Sequence, residues 1–324
     1  MEHLINERVK DIQISGIRRI ANLVSGYRDV VSLTIGQPDF ATPNHILEAG
    51  KKAIDAHKTT YTPNHGLLEL RQAASDFVRI KYGLDYRPED EVIVTTGASQ
   101  ALDITLRTIL AEGSEVILPA PVYPGYEPLI RLCGATPVYV DTTDHGFIMT
   151  ADLIASKITE KTRCIILCYP SNPTGRLMNR RELKEIADLL EGKEIFFVIS
   201  DEIYSELIYE DRHHSIAALP GMREKTIVIN GLSKSHSMTG WRIGFTFAPA
   251  ALTQHMVKVH QYNVTCASSI SQYAALEALT NGVDDAEPMK REYKKRRDFV
   301  YSRLAEMGFD VILPEGAFYI FFRL

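Results

Sequence analysis

The sequence predicts an α/β protein in which a mostly parallel sheet lies buried between helices. Three observations carry that expectation. From about residue 90, short apolar runs alternate with segments of helical period. The runs are apolar at successive positions, as expected of strands covered on both faces. Glycine, asparagine, aspartate and lysine recur just past the ends of the runs, where ligands collect in such sheets.

Taken in order, residues 1–24, MEHLINERVKDIQISGIRRIANLV, predict one amphipathic helical arm, and SLTIGQPDFATP an extended, turn-rich segment. EVIVTT predicts a strand, Gly97 a joint, and ASQALDITLRTIL a helix. EVILP is a second strand, with a helix after PVYPGY, and TPVYV a third. TRCIILCY predicts a fourth, with the helix NRRELKEIADLL behind it, and EIFFVISDE, KTIVIN and WRIGFTFA follow. Residues 284–307 predict a long charged helix, and GFDVILPEGAFYIFFRL begins a new sheet. That sheet stops in mid-strand at Leu324, so further sequence is expected after it.

Bulk properties narrow the function classes. The chain has 324 residues, enough for two domains or one large one, with 45% hydrophobic and 24% charged residues, the mix of a globular enzyme. A net charge of −5 discourages a general nucleic-acid or membrane-surface role. No signal-peptide pattern opens the chain, and no apolar run approaches the roughly 20 residues of a membrane helix. The four cysteines sit in apolar contexts without a four-ligand metal set, which fits reduced thiols and a cytoplasmic protein.

Four stretches hold chemistry. TTGASQAL places a strand, a glycine turn and a helix start together, so that free N–H groups and the hydroxyl of Ser99 can meet an anion. Such turns are common in α/β proteins. YPSNPTG fixes Asn172 at a strand end between two prolines, although an isolated NPTG is usually a plain turn. VISDEIYSEL puts Asp201 at the end of a buried strand, where a carboxylate needs a partner or caps a helix, with Tyr204 three residues on. NGLSKSHSMTGWRIG sets Lys234 in a turn, with Ser233 before it and Arg242 downstream. Nearby positive charge lowers a lysine pKa and makes the amine a nucleophile, and arginine can grip a phosphate bidentately. An anion cradle, a positioned amide, a strand-end carboxylate and a Schiff-base lysine are what a pyridoxal 5′-phosphate site requires.

These residues carry a resemblance. GQPDF, YTPNHGLLELR, TTGASQAL, PVYPGY, SNPTG, SDEIY, LSKSHSMTGWRIG and GAFYIF resemble, in order and across essentially the whole chain, the class I/II aminotransferases. The resemblance implies fold type I: a large domain with a seven-stranded-type, mostly parallel sheet, and a smaller α/β domain. It divides the chain into an N-terminal arm and small-domain segment (1–45), a large pyridoxal-phosphate domain (46–282) and the start of a C-terminal small domain (283–324). It implies that Lys234 bonds the cofactor aldehyde and carries the proton, and that Asp201 pairs with the ring nitrogen. Asn172 and Tyr204 would hydrogen-bond the phenolate oxygen, and Tyr123 would stack on the ring. Gly97, Ala98, Ser99, Ser233 and Arg242 would hold the phosphate. Tyr61 would reach the site of a partner subunit in an obligate homodimer, and Gly36, with Asn172, would lie at the substrate carboxylate. The family's arginine for that carboxylate falls after GAFYIF and has no counterpart up to Leu324.

MEHLINERVKDIQISGIRRI, PVYPGYEPLI and INGLSKSHSMTGWRIGF further resemble the branch that moves an amino group between glutamate and an N-acetylated diaminopimelate precursor in lysine biosynthesis. The alternatives are an aspartate- or aromatic-type aminotransferase of broad specificity and a carbon–sulfur β-lyase on the same scaffold. A non-catalytic effector module of a transcription regulator is disfavoured, because about 30 residues precede SLTIGQPDF, too few for a DNA-binding domain. His213 and His214 predict a solvated turn. His236 has two readings, contact with the site or orientation of the turn, and Trp241 is expected to pack the strand beside Arg242. The run KREYKKRRD predicts an exposed helix face.

Overall fold

The computed structural model describes residues 1–324 except 25, 28, 29, 32, 194, 195 and 324, and leaves the side chains of 17 and 18 undescribed. Seven strands form the central sheet: β1 Val92–Thr95, β2 Glu115–Ala120, β3 Thr136–Asp141, β4 Thr162–Cys168, β5 Phe197–Asp201, β6 Thr226–Gly231 and β7 Gly244–Phe247. Their order is β1-β7-β6-β5-β4-β2-β3. The run from β3 to β6 is parallel, and β7 lies antiparallel to both β6 and β1. The expected mostly parallel sheet is therefore present, with one reversed strand.

β4 shows why the strand runs are continuously apolar. Cys164, Ile166 and Cys168 face one core with the helices Ala98–Ile109, Tyr126–Leu132 and Ala250–Val264. Ile165 and Leu167 face another, under the Arg180–Leu190 helix. With period 2 and both faces covered, every position must be apolar. Cys164 and Cys168 are buried free thiols, as expected, and burial pushes Cys168 up to about 12. A third core gathers β1, β6 and β7 with helices Asn44–Asp55, Leu68–Tyr82 and Ser269–Thr280. A long helix, Ala286–Glu306, leads to a two-stranded sheet of β8 Asp310–Val311 and β9 Phe322–Arg323. The predicted first residues of EIFFVISDE (194 and 195) and the end at Leu324 lie outside the described residues.

Three expectations need correction. The N-terminal arm is not one helix. It breaks into Glu2–Leu4, Glu7–Lys10 and Gly16–Val24, with residues 11–15 non-helical. Asn6 caps the second piece by accepting the Arg8 N–H at 3.0 Å, Gly16 is a poor helix former, and short helices without buried faces are marginal. His213 is buried rather than solvated: its Nε2 lies 2.7 Å from Glu202 Oε2, and Glu202 is fully enclosed. Trp241 packs against the core that holds β1, β6 and β7, close to Gly50 of the Asn44–Asp55 helix, and its Nε1 donates to Thr42 Oγ1 at 3.2 Å. On the long helix, Tyr293 and Arg297 are buried within the charged run. Arg297 donates to the Pro314 carbonyl and pairs with Glu210.

Candidate active site

Parallel strands end together at one wall, and their ends build the site. The last residue of β4, Cys168, is in register with Asp201, the last of β5. β6 ends at Gly231 and turns at once into the short helix Leu232–Ser235, which carries Ser233 and Lys234. A cleft of about 910 Å³ opens over these ends. Ten predicted residues line it: Gly36, Ala98, Ser99, Tyr123, Asn172, Asp201, Tyr204, Ser233, Lys234 and Arg242. Gly97 stands just behind, at the start of the Ala98–Ile109 helix. Tyr61 is not among the lining residues and is 84% exposed.

Lys234 is the nucleophile candidate. Its Nζ donates to the Gly36 carbonyl at 2.6 Å and lies over the rings of Tyr204 and Phe318, 5.7 and 5.5 Å from their centres. Burial first, and then the charge of Arg242, lowers its pKa to about 8, with Asp201 opposing. Such a lysine releases its proton near neutral pH, which an ordinary surface lysine does not.

Asp201 is buried at the strand end, and no helix begins after it, so it is not a helix cap. Its Oδ2 accepts from the Tyr126 hydroxyl at 2.7 Å and its Oδ1 from the Ile203 N–H at 3.3 Å. Burial raises its pKa to about 6, against those two hydrogen bonds. A buried carboxylate with two donors and a cleft in front of it favours a cationic N–H group there.

The anion end is a helix start held close by glycines. Gly97 adopts φ 77°, and the first-turn N–H groups of Ala98 and Ser99 have no intrahelical acceptor. A Cβ at Gly97 would lie 2.5 Å from Arg242 Nη2, and one at Gly244 2.7 Å from the Ala98 nitrogen. Only glycine lets the arginine, β7 and the helix start approach this closely. The guanidinium is steadied by the Thr239 carbonyl at 2.9 Å. Its charge and the helix N-terminus act on the same spot.

Two side chains in this site escaped the sequence reading. Tyr126 holds Asp201, and Tyr319 binds both Asn172 and Tyr204. Asn172 Nδ2 donates to the Tyr319 hydroxyl at 3.2 Å, and the Tyr204 and Tyr319 hydroxyls are 2.6 Å apart. Both residues stood inside quoted motifs, PVYPGY and GAFYIF, and that was their only signal. Tyr123 meets Tyr126 edge to face with ring centres 5.4 Å apart. His236 orients the turn instead of lining the cleft: Nε2 bonds the Gly282 carbonyl at 2.9 Å and Nδ1 the Ser235 hydroxyl at 2.7 Å.

The donor set fits pyridoxal 5′-phosphate. It offers an amine of lowered pKa, a buried carboxylate for a ring N–H, and a helix start with an arginine for a phosphate. The profile of aminotransferase class I and II matches residues 28–324. The chain belongs to this family. It is 62% identical over 321 residues to a Bacillus subtilis protein named "Probable N-acetyl-LL-diaminopimelate aminotransferase", covering 99% of this chain and 81% of that one. It is 42% identical over 324 residues to an aspartate aminotransferase of Pyrococcus abyssi, covering 99% and 83%. The solved structure of Thermus thermophilus aspartate aminotransferase with maleate superposes with a TM-score of 0.93 at 35% identity, covering 98% of this chain and 84% of that one. As a family member this chain is a pyridoxal-phosphate-dependent aminotransferase of fold type I, acting on amino and keto acids.

Proposed function

We propose that the cleft moves an amino group from glutamate to a 2-keto acid, and that this acid is the N-acetylated 2-amino-6-oxopimelate of lysine biosynthesis, in a cytoplasmic homodimer. The observation that supports the site most is the pairing of a lysine lowered to about 8 with a buried carboxylate raised to about 6 in one cleft. The 62% identity to the Bacillus protein supports the substrate. No described helix is long and apolar enough to cross a membrane.

Bound pyridoxal phosphate supplies an aldehyde to take the amino group and a ring to take up electron density. The rest falls to the chain. Lys234 Nζ, which loses its proton around pH 8, would be the amine that holds the aldehyde and the base that moves the proton at the substrate α-carbon. Asp201 holds the ring nitrogen protonated, with Tyr126 keeping the carboxylate in place. Asn172 and Tyr204 hold the ring's phenolic oxygen, and Tyr319 braces both. Tyr123, which lines the cleft, would lie against the ring. Ala98, Ser99, Ser233 and Arg242 bind the phosphate, with Gly97 shaping the turn. Gly36, whose carbonyl accepts from Lys234, would lie at the substrate carboxylate together with Asn172. Tyr61, exposed in the single chain, would reach the phosphate held by the partner subunit.

The test is the glutamate half-reaction. Glutamate added to cofactor-loaded protein should shift the visible absorbance to that of the aminated cofactor and release 2-oxoglutarate. Unchanged absorbance would remove glutamate as donor, and elimination products from β-substituted amino acids would favour a lyase instead.

A further inference from the structure

Among the described residues lining the cleft, three are cations: Lys234, Arg242 and Arg131. The first two serve the reacting group and the phosphate. Arg131 has no such task. It lies on the Tyr126–Leu132 helix, whose first residue reaches Asp201. Five residues further on, about 7.5 Å of helix rise separates it from that contact.

Its geometry is that of a presented guanidinium. Nε donates to Glu127 Oε1 at 2.7 Å, and Glu127 Oε2 accepts from the Tyr139 hydroxyl at 2.7 Å. Arg131 is thus held from one side by a carboxylate that is itself anchored. Its two terminal nitrogens make no hydrogen bond among the described residues. Those nitrogens form the fork that takes a carboxylate bidentately. The non-helical segment 11–15 adds Asp11 and Gln13 to the cleft lining. The outer cleft thereby joins one cation to an amide and acceptor oxygens. That set suits a ligand end bearing both a carboxylate and an N–H group. A cleft of about 910 Å³ stands at the large end of small-molecule sites, with room for a substrate that extends past the reacting centre.

We propose that Arg131 is a specificity-determining residue: it receives the distal carboxylate of a long α-amino dicarboxylate, and Gln13 meets the amide beside it. This rests on the aminotransfer reading above. The test uses the cofactor-loaded protein with alanine, glutamate, 2-aminoadipate and 2-aminopimelate as donors. In Arg131→Ala the ratio of kcat/KM for 2-aminopimelate to that for alanine should fall about tenfold, the scale of one partly exposed charge-assisted contact. Arg131→Lys should retain an intermediate ratio, because the point charge remains without the fork. Each ratio comes from one preparation, so a reduced folded fraction cancels. Calorimetric binding of pimelate, an unreactive diacid, should weaken by a similar factor, and binding of acetate should not. An Arg131→Ala ratio within twofold of the unmodified protein's overturns the proposal, including the case where alanine suffers equally, which would assign Arg131 to the α-carboxylate. No turnover by the unmodified protein with any donor would instead overturn the aminotransfer reading itself.

Discussion

Replacing Asp201 with asparagine should stabilise the cofactor-free protein while weakening its hold on the cofactor. Burial raises the Asp201 carboxyl from 3.8 to about 6 despite hydrogen bonds from Tyr126 and the Ile203 backbone. At 1.36 kcal/mol per pKa unit, that difference is about 3 kcal/mol of cost for the ionised form in the folded chain. Because the folded value lies above the unfolded one, the contribution of Asp201 to stability is fully present below pH 4. It is lost as the pH rises through about 6. An amide in its place would have no such dependence. The assay is urea unfolding of the cofactor-free protein and of Asp201→Asn at several pH values between 4 and 8. The two curves should nearly coincide at pH 4, and the variant should be more stable by up to about 3 kcal/mol at pH 8. Added pyridoxal phosphate should reverse the order, since a ligand at one thousand times its Kd adds about 4.1 kcal/mol and only the carboxylate form binds tightly. A variant less stable at pH 8 without cofactor would refute the reasoning, for it would mean that the charge of Asp201 is already satisfied within the chain.

Three further outcomes follow from neighbouring geometry. Lys234 falls from 10.5 to about 8, so the rate at which cofactor-free protein captures pyridoxal phosphate covalently should rise with pH through about 8 and then level off; stopped-flow absorbance reads this directly. In Gly97→Ala the new Cβ would meet Arg242 Nη2 at 2.5 Å on a backbone of φ 77° and ψ 168°, at a cost of about 1–3 kcal/mol. The affinity for pyridoxal phosphate should drop more than that for pyridoxal, as measured by equilibrium dialysis. His213→Ala removes the ring whose Nε2 lies 2.7 Å from Oε2 of Glu202, a fully buried carboxylate beside Asp201. The loss should be about 3 kcal/mol in denaturant unfolding, whereas an equal loss in a Glu202→Gln background would show that the two groups are not coupled.

The strands and the first ring of site residues were legible because both are local signals. A strand covered on both faces must be apolar throughout, as β4 is. A residue at or just past its end can face the cleft, as Asp201 and Asn172 do. Tyr126 and Tyr319 were not legible in that way. Tyr126 meets Asp201 across 75 residues of chain, and Tyr319 meets Tyr204 across 115. No periodicity within either segment encodes such a contact. His213 misled for the same reason: its polar neighbours predict a surface turn, but the buried Glu202, eleven residues earlier, draws it inward. The amphipathic period of residues 1–24 holds only within Gly16–Val24. Its interruption at 11–15, which brings Asp11 and Gln13 to the cleft, depends on a surface built by residues more than a hundred positions away. β7 runs antiparallel against β6, and nothing in WRIGFTFA distinguishes it from the parallel strands.

The measurement that tests the account most directly is borohydride reduction of the pyridoxal-phosphate-loaded protein, followed by peptide mapping by mass spectrometry. Reduction fixes the cofactor to whichever lysine holds its aldehyde. One modified peptide is expected, the one containing Lys234, and it should disappear when glutamate is added before reduction. Cofactor fixed to another lysine, or a Lys234 peptide that glutamate leaves unchanged, would contradict it.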